Sequence, residues 1–215
     1  MPNAVPSLSS LSLEAYLEQL ASEAPAPGGG AVVALLGAQA CALLAMTLRV
    51  SGETTNSSGK KGEHSALLTL LDDRRAVFVR LADDDAKAFT AVLAAYKLPK
   101  GDEAAKKARG EAVQKAFKEA TRVPLQGMAE LAALMDVVDA VSMTAKASVA
   151  SDTGIALQLV VAALQASRYN VWINLKYLID PDFKAEAKKS ARCHLSGVKE
   201  RRRALHQRLK TLIQA

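Results

Sequence analysis

Between Ala31 and Met46 the chain carries one polar side chain, Gln39, in an otherwise unbroken run, AVVALLGAQACALLAM. A helix that is apolar on every face is enclosed by protein or by lipid. The run approaches the length of about 20 residues that crossing a bilayer requires. Its richness in Ala and Gly favours the other solution. Small residues at Ala31, Ala34, Gly37, Ala38, Ala42 and Ala45 let neighbouring backbones approach closely, so the run reads as a central helix surrounded by other helices. Pro25, Pro27 and the glycines Gly28, Gly29 and Gly30 end any earlier helix and set the start of this one.

The remaining chain supports an all-α reading. Half of the residues are hydrophobic but only 4% are aromatic, so the core must be built from Ala, Leu and Val. Good helix formers abound, and no alternating β-branched run is long enough to be a strand. A second apolar segment spans Gly154 to about Ile179. The expected architecture is a single multihelical domain over residues 1–215, with two apolar central helices and a loose leader at residues 1–10.

Ser12 is placed to cap a short helix with Leu13, Tyr16, Leu17 and Leu20 on one face. Gly52 to Gly62 reads as a surface loop, followed by a long helix from about Glu63 to Leu98. A second long helix runs from about Asp102 to Ala145, and Pro124 should kink or break it. Ser151 or Asp152 is placed to cap the second apolar helix. Asp180 and Pro181 restart the chain as cap and first-turn proline, and one basic helix continues to about Ile213.

The net charge of +6 favours acidic partners: nucleic acid, anionic lipid or a small polyanion. Interleaved aromatics are missing from the basic C-terminal helix, so a solvated face explains it better than nucleic-acid contact. Cys41 and Cys193 read as reduced cytosolic thiols, and MPNAVPSLSS lacks the pattern of a secretory signal. His64, His194 and His206 are scattered, which leaves no transition-metal site to propose.

Polar residues in apolar places are the candidate chemistry. Asp85 lies four residues after Leu81 and four before Phe89, on the apolar stripe itself. It is either a site carboxylate or half of a buried ion pair with Arg49 or Arg109. Its neighbours Asp83 and Asp84 read as a solvated patch. Asp152 is either a cap or a second functional acid. Asn170 and Asn174, four apart, share one face of an apolar helix, where they bond each other across an interface or hold a ligand. Lys97 at a helix end and Lys176 are the nearby cations. The three glycines either present N–H groups to an anion or merely permit a tight turn.

In combination, PAPGGGAVVALLGAQACALLAM, DDAKAFTAVLAAYKLPK, ASDTGIA and NVWINLKYLID resemble the cyclodeaminase/cyclohydrolase family, from about Leu13 to Asp182. This family comprises the C-terminal domain of formiminotransferase-cyclodeaminase and stand-alone relatives, including methenyltetrahydrofolate cyclohydrolases. The resemblance implies an all-helical cytoplasmic protein that dimerises through helices, with a folate as substrate and no separate cofactor. It implies hydration of methenyltetrahydrofolate or ring closure of formiminotetrahydrofolate with loss of ammonia. Without a preceding transferase domain, hydration is the slightly favoured expectation. Asp85, with Asp152 second, would be the general base. Asn170 and Asn174 would orient the pterin or water. Lys97, Lys176 and the Gly28, Gly29 and Gly30 amides would take the glutamate tail. No nucleic acid or membrane is implied. The competing reading is a non-catalytic helical oligomer that binds a small anion or a partner through its basic surface. One departure stands out: the residue after the glycines, a Ser in the family, is Ala31.

Overall fold

The computed structural model describes residues 7–52 and 58–214, with side chains at 58–61 left aside. Among the described residues there are helices and no strands. The helices are α1 (Leu13–Ala21), α2 (Gly29–Gly52), α3 (Ser58–Tyr96), α4 (Glu103–Ser142), α5 (Ala150–Lys176), α6 (Pro181–Leu195) and α7 (Val198–Gln214). Short 3-10 turns precede α1 and α5.

Helix α2 packs on α3, α5 and α4, and α4 packs on α3 and α5. Of the small residues expected to admit close packing, Ala31, Ala34, Gly37, Ala38 and Ala45 are buried, whereas Ala42 is exposed; Ala40 is buried as well. A Cβ on Gly37 would lie 2.7 Å from the Phe78 ring, so α3 can approach α2 this closely only over a glycine. Both α2 and Ala147–Lys176 are long and apolar enough to cross a bilayer, yet 61% of the most apolar window of α2 is already buried by the protein itself. The Cys41 thiol lies in this core, and desolvation pushes its pKa up to about 12.

Several boundaries differ from the sequence expectation, each for a local reason. Helix α3 begins at Ser58, inside the stretch expected to be a loop; residues 53–57 of that loop lie outside the described residues. The expected loose leader is anchored where it is described. The Ser7 hydroxyl and the Leu8 N–H both donate to Asp83, at 2.6 and 2.8 Å, and Leu8 is buried. Ser12 caps α1 by accepting from the Ala15 N–H. The expected apolar face of α1 is only partly used, because Leu13 and Leu17 are exposed. Helix α5 starts at Ala150 with no side-chain cap, so Asp152 occupies its first turn rather than its cap. Asp180 caps α6 as expected, accepting from Asp182 and Phe183, with Pro181 first in the helix. The basic C-terminal helix is two helices, separated at Gly197, whose φ of 70° suits glycine.

Helix α4 runs through Pro124 without a break. A proline inside a helix removes one N–H and strands the carbonyl four residues earlier. That carbonyl belongs to Ala120, which is buried, and it accepts from Asn174 Nδ2 of α5 at 2.7 Å. A neighbouring helix thus supplies the missing donor.

Some of the basic charge pairs helices with one another. Arg201 and Arg208 of α7 pair with Asp136 and Asp139 of α4, both at 2.5 Å. Arg74 of α3 pairs with Glu130 of α4 at 2.5 Å.

Candidate active site

Three consecutive aspartates on α3 project at different angles and meet different surroundings. Asp83 anchors the N-terminal turn, and Asp84 makes an exposed pair with Lys87. Asp85 turns toward the start of α2. The expected alternatives for Asp85 do not occur: Arg49 pairs with Asp72, and Arg109 donates to the Tyr96 carbonyl. Burial raises the Asp85 pKa, and the Ala31 backbone N–H works in the opposite direction by favouring the carboxylate.

This arrangement accounts for the glycines. The first N–H groups of a helix have no partners within it. Asp85 reaches across from α3 to serve the Ala31 N–H at that end of α2. A Cβ on Gly30 would sit 1.9 Å from Asp85 Oδ1, so the carboxylate occupies the space that a side chain would fill. A Cβ on Gly29 would make an ordinary 3.5 Å contact with Asn170 Oδ1, and one on Gly28 would meet nothing. Ala31 is fully buried, and its backbone rather than its side chain meets the acid.

Asp85, Gly28, Gly29, Gly30, Asn170 and Asn174 line one cavity of about 590 Å³. Its remaining wall is apolar. The sequence has nine aromatic residues, and four of them (Phe89, Tyr96, Phe117 and Tyr177) border this cavity. Phe117 stacks on Tyr177 with centroids 4.9 Å apart, and Tyr96 meets Phe117 edge-on at 6.1 Å. The α3 stripe therefore divides. Leu71, Phe78 and Leu81 are core, whereas Phe89 and Tyr96 are partly exposed walls. Phe117 and Tyr177 were not anticipated. Their signal was the scarcity of aromatics in a core that Ala, Leu and Val already fill.

The two asparagines differ. Asn174 has one amide N–H committed to Ala120, while Asn170 has no hydrogen-bond partner among the described residues. A void of about 20 Å³ behind Asp85 and Asn170 is also lined by Gly30, Pro124 and Ser167.

Three expected site residues lie elsewhere. Asp152 is separated from Asn170 by five turns of α5, roughly 27 Å at 1.5 Å per residue. Lys97 is exposed just beyond the end of α3, and Lys176 is exposed with its ammonium 5.8 Å from the Tyr177 ring centroid; neither borders the cavity. The cations near the site come instead from α4 and the turn before it. A groove of about 1050 Å³, sharing Tyr96 with the cavity, is lined by Lys100, Lys106, Lys107, Arg109, Lys115 and Lys118, among others. Lys118 is held by Asp180 and Lys106 by Glu103, whereas Lys100, Lys107 and Lys115 make no ion pair among the described residues. Gln114 fixes the adjoining corner by donating to the Tyr177 carbonyl and accepting from the Ile179 N–H, both at 2.9 Å.

The chain as a whole has counterparts among known proteins. The family model for formiminotransferase-cyclodeaminase matches residues 12–193, and the chain belongs to that family. A methenyltetrahydrofolate cyclohydrolase of Methylorubrum extorquens is 32% identical over 92% of this chain and 93% of its own length. The formimidoyltransferase-cyclodeaminase of Rattus norvegicus is 29% identical over 85% of this chain, which spans 34% of that protein. A crystal structure of formiminotetrahydrofolate cyclodeaminase from Thermotoga maritima superposes with a TM-score of 0.80 at 28% identity, covering 96% of this chain and 98% of the other.

Proposed function

We propose that this protein is a folate one-carbon enzyme that hydrates methenyltetrahydrofolate to formyltetrahydrofolate. The relatives' activities support the substrate class. The observation that carries the reading is a half-buried Asp85 beside two carboxamides in an aromatic-walled cavity.

The chemistry follows from charge. The bridging carbon of the methenyl form lies in an amidinium cation between two nitrogens. A carboxylate with little solvent around it stabilises that cation and is a stronger base than one in water. Asp85 takes a proton from water as the oxygen bonds to the bridging carbon. One C–N bond of the tetrahedral adduct then opens: Asp85 returns its proton to the departing nitrogen, and the hydroxyl proton of the adduct leaves to water as the formyl C=O forms. The aromatic wall takes the flat rings. The groove with Lys100, Lys107 and Lys115 suits the anionic tail, in place of Lys97 and Lys176. A protein of this kind works in the cytoplasm without a further cofactor.

The same carboxylate can serve ring closure of formiminotetrahydrofolate with loss of ammonia. The likeness to the Thermotoga maritima structure supports this second reading. Methenyltetrahydrofolate has a near-ultraviolet band that disappears on hydration. Accelerated loss of that band supports the first reading; ammonia release from the formimino substrate supports the second. Neither activity would leave the non-catalytic binding module.

We further propose that two copies associate through α5. Ile155, Leu159, Ala162, Ala166, Tyr169 and Ile173 are spaced alternately by four and three residues, the spacing of a helix-pairing seam. Ile155, Tyr169, Trp172 and Ile173 are each more than half exposed, and Arg168 lies over the rings of Tyr169 and Trp172. Tyr, Trp and Arg are the residues most often dominant in interfaces. A monomeric mass in sedimentation would reject this association.

A further inference from the structure

Asn174 is the one carboxamide at the site whose orientation the fold has already chosen, and the choice is made in α4. A carbonyl oxygen can only accept, so the atom of Asn174 that meets the Ala120 oxygen at 2.7 Å must be the nitrogen. Ala120 is buried, and its carbonyl would lose its hydrogen bond without that contact. It needs the contact because residue 124 is proline, which cannot donate the usual helical bond. Ala120 and Asn174 both border the cavity, and Pro124 borders the small void beside it with Asp85 and Asn170. Asn170 has no such restraint among the described residues.

We propose that Pro124 is a positioning residue for substrate recognition. By withholding a backbone donor from Ala120, it recruits the amide nitrogen of Asn174. The Oδ1 of Asn174 is thereby reserved as the acceptor for an N–H of the ligand's ring system. The pair makes this part of the cavity selective for a hydrogen-bond donor. A ligand with an acceptor at that place faces an oxygen it cannot bond, unless the Ala120 contact is given up.

The proposal rests on the folate reading for its ligand but not for its mechanism, so the two are tested separately. Pro124→Val restores the N–H while keeping a side chain of similar bulk, and Pro124→Ala is the second variant should the first fail to fold. Without ligand, nitrogen-15 NMR measures hydrogen exchange at the Asn174 carboxamide. Slow exchange in the parent protein and fast exchange in the Pro124 variant is expected; equal exchange in both overturns the relay. With methenyltetrahydrofolate, Pro124→Val is expected to raise KM about tenfold, the effect of losing one well-aligned hydrogen bond, with a smaller change in kcat. Asn174→Ala is expected to raise KM about tenfold in the parent and under threefold when Pro124 is already Val. Equal effects in both backgrounds would assign Pro124 a shape role only and overturn the proposal. If the parent shows no folate turnover, the functional reading fails, while the exchange result still decides the relay.

Discussion

Gly30→Ala isolates the site geometry in one methyl group. The new Cβ would start 1.9 Å from Asp85 Oδ1, 2.2 Å from Cγ and 2.5 Å from Oδ2. Ordinary contact begins at 3.4 Å, so the nearest oxygen must retreat by about 1.5 Å. It cannot do so and still meet the Ala31 N–H in the present geometry. A misplacement of about 1 Å costs about a hundredfold in rate where geometry decides reactivity, so turnover should fall by about a hundred or more. Stability should respond weakly. Overpacking costs about 1–3 kcal/mol, while replacing a helical glycine by alanine returns about 1 kcal/mol. The net loss of up to about 2 kcal/mol lowers Tm by less than about 8 °C for a chain of this size. Gly29 and Gly28 provide the comparison within the same turn. Alanine at Gly29 meets Asn170 at an ordinary 3.5 Å, and alanine at Gly28 meets nothing, so both should lose far less activity. Loss of the near-ultraviolet band measures the rate and thermal melting measures the fold. Wild-type turnover in folded Gly30→Ala, or equal loss at all three glycines, would refute the reasoning.

Asp85→Asn should reduce turnover at least about a hundredfold and raise thermal stability at neutral pH. Because burial raises the Asp85 pKa, the folded protein holds this proton more tightly than the unfolded chain, and stability declines as pH rises from the ordinary carboxylate value through the raised one. The variant's stability advantage should therefore grow across that window in melts at several pH values, and the parent's kcat should rise over the same range. Replacing Lys100, Lys107 and Lys115 together by Gln should raise KM for a folate with a long anionic tail more than for one with a short tail, and flatten the dependence of KM on salt. Gly197→Ala places alanine at a φ of 70° in otherwise open space, so it should cost about 1 kcal/mol in thermal melts and leave turnover intact.

The helical architecture was legible because its signals are local. Ser12, Asp180 and Pro181 announce helix starts, and the apolar run of α2 announces burial by its composition. Asp85 was legible for a related reason: a charge on an apolar stripe contradicts the pattern around it. The sequence could not show which of several partners would answer that contradiction, since Arg49, Arg109 and the Ala31 N–H are equivalent on paper. Pro124 was harder to read, and of its two expected outcomes the break does not occur. Its effect on α4 depends on a donor 50 residues later, which no local rule contains. Lys97, at a helix end, and Lys176, a lone cation in an apolar helix, stand out in the sequence, but their positions do not show whether they face the cavity, and neither borders it. The cations bordering the site come from α4 and the turn before it, a relation only packing creates. Gly197 gives no local signal of a break, because the residues around it continue a basic helical pattern.

The chain contains two thiols in opposite circumstances. Cys41 is sealed in the core with a pKa of about 12, which leaves about one part in a hundred thousand as thiolate at neutral pH, whereas Cys193 is exposed on α6. Maleimide or a spin label should therefore attach to the native protein at a single place, with no cysteine engineered in or out. Unfolding would uncover the second, so a simple count of reacted thiols doubles as a gauge of whether the fold is intact.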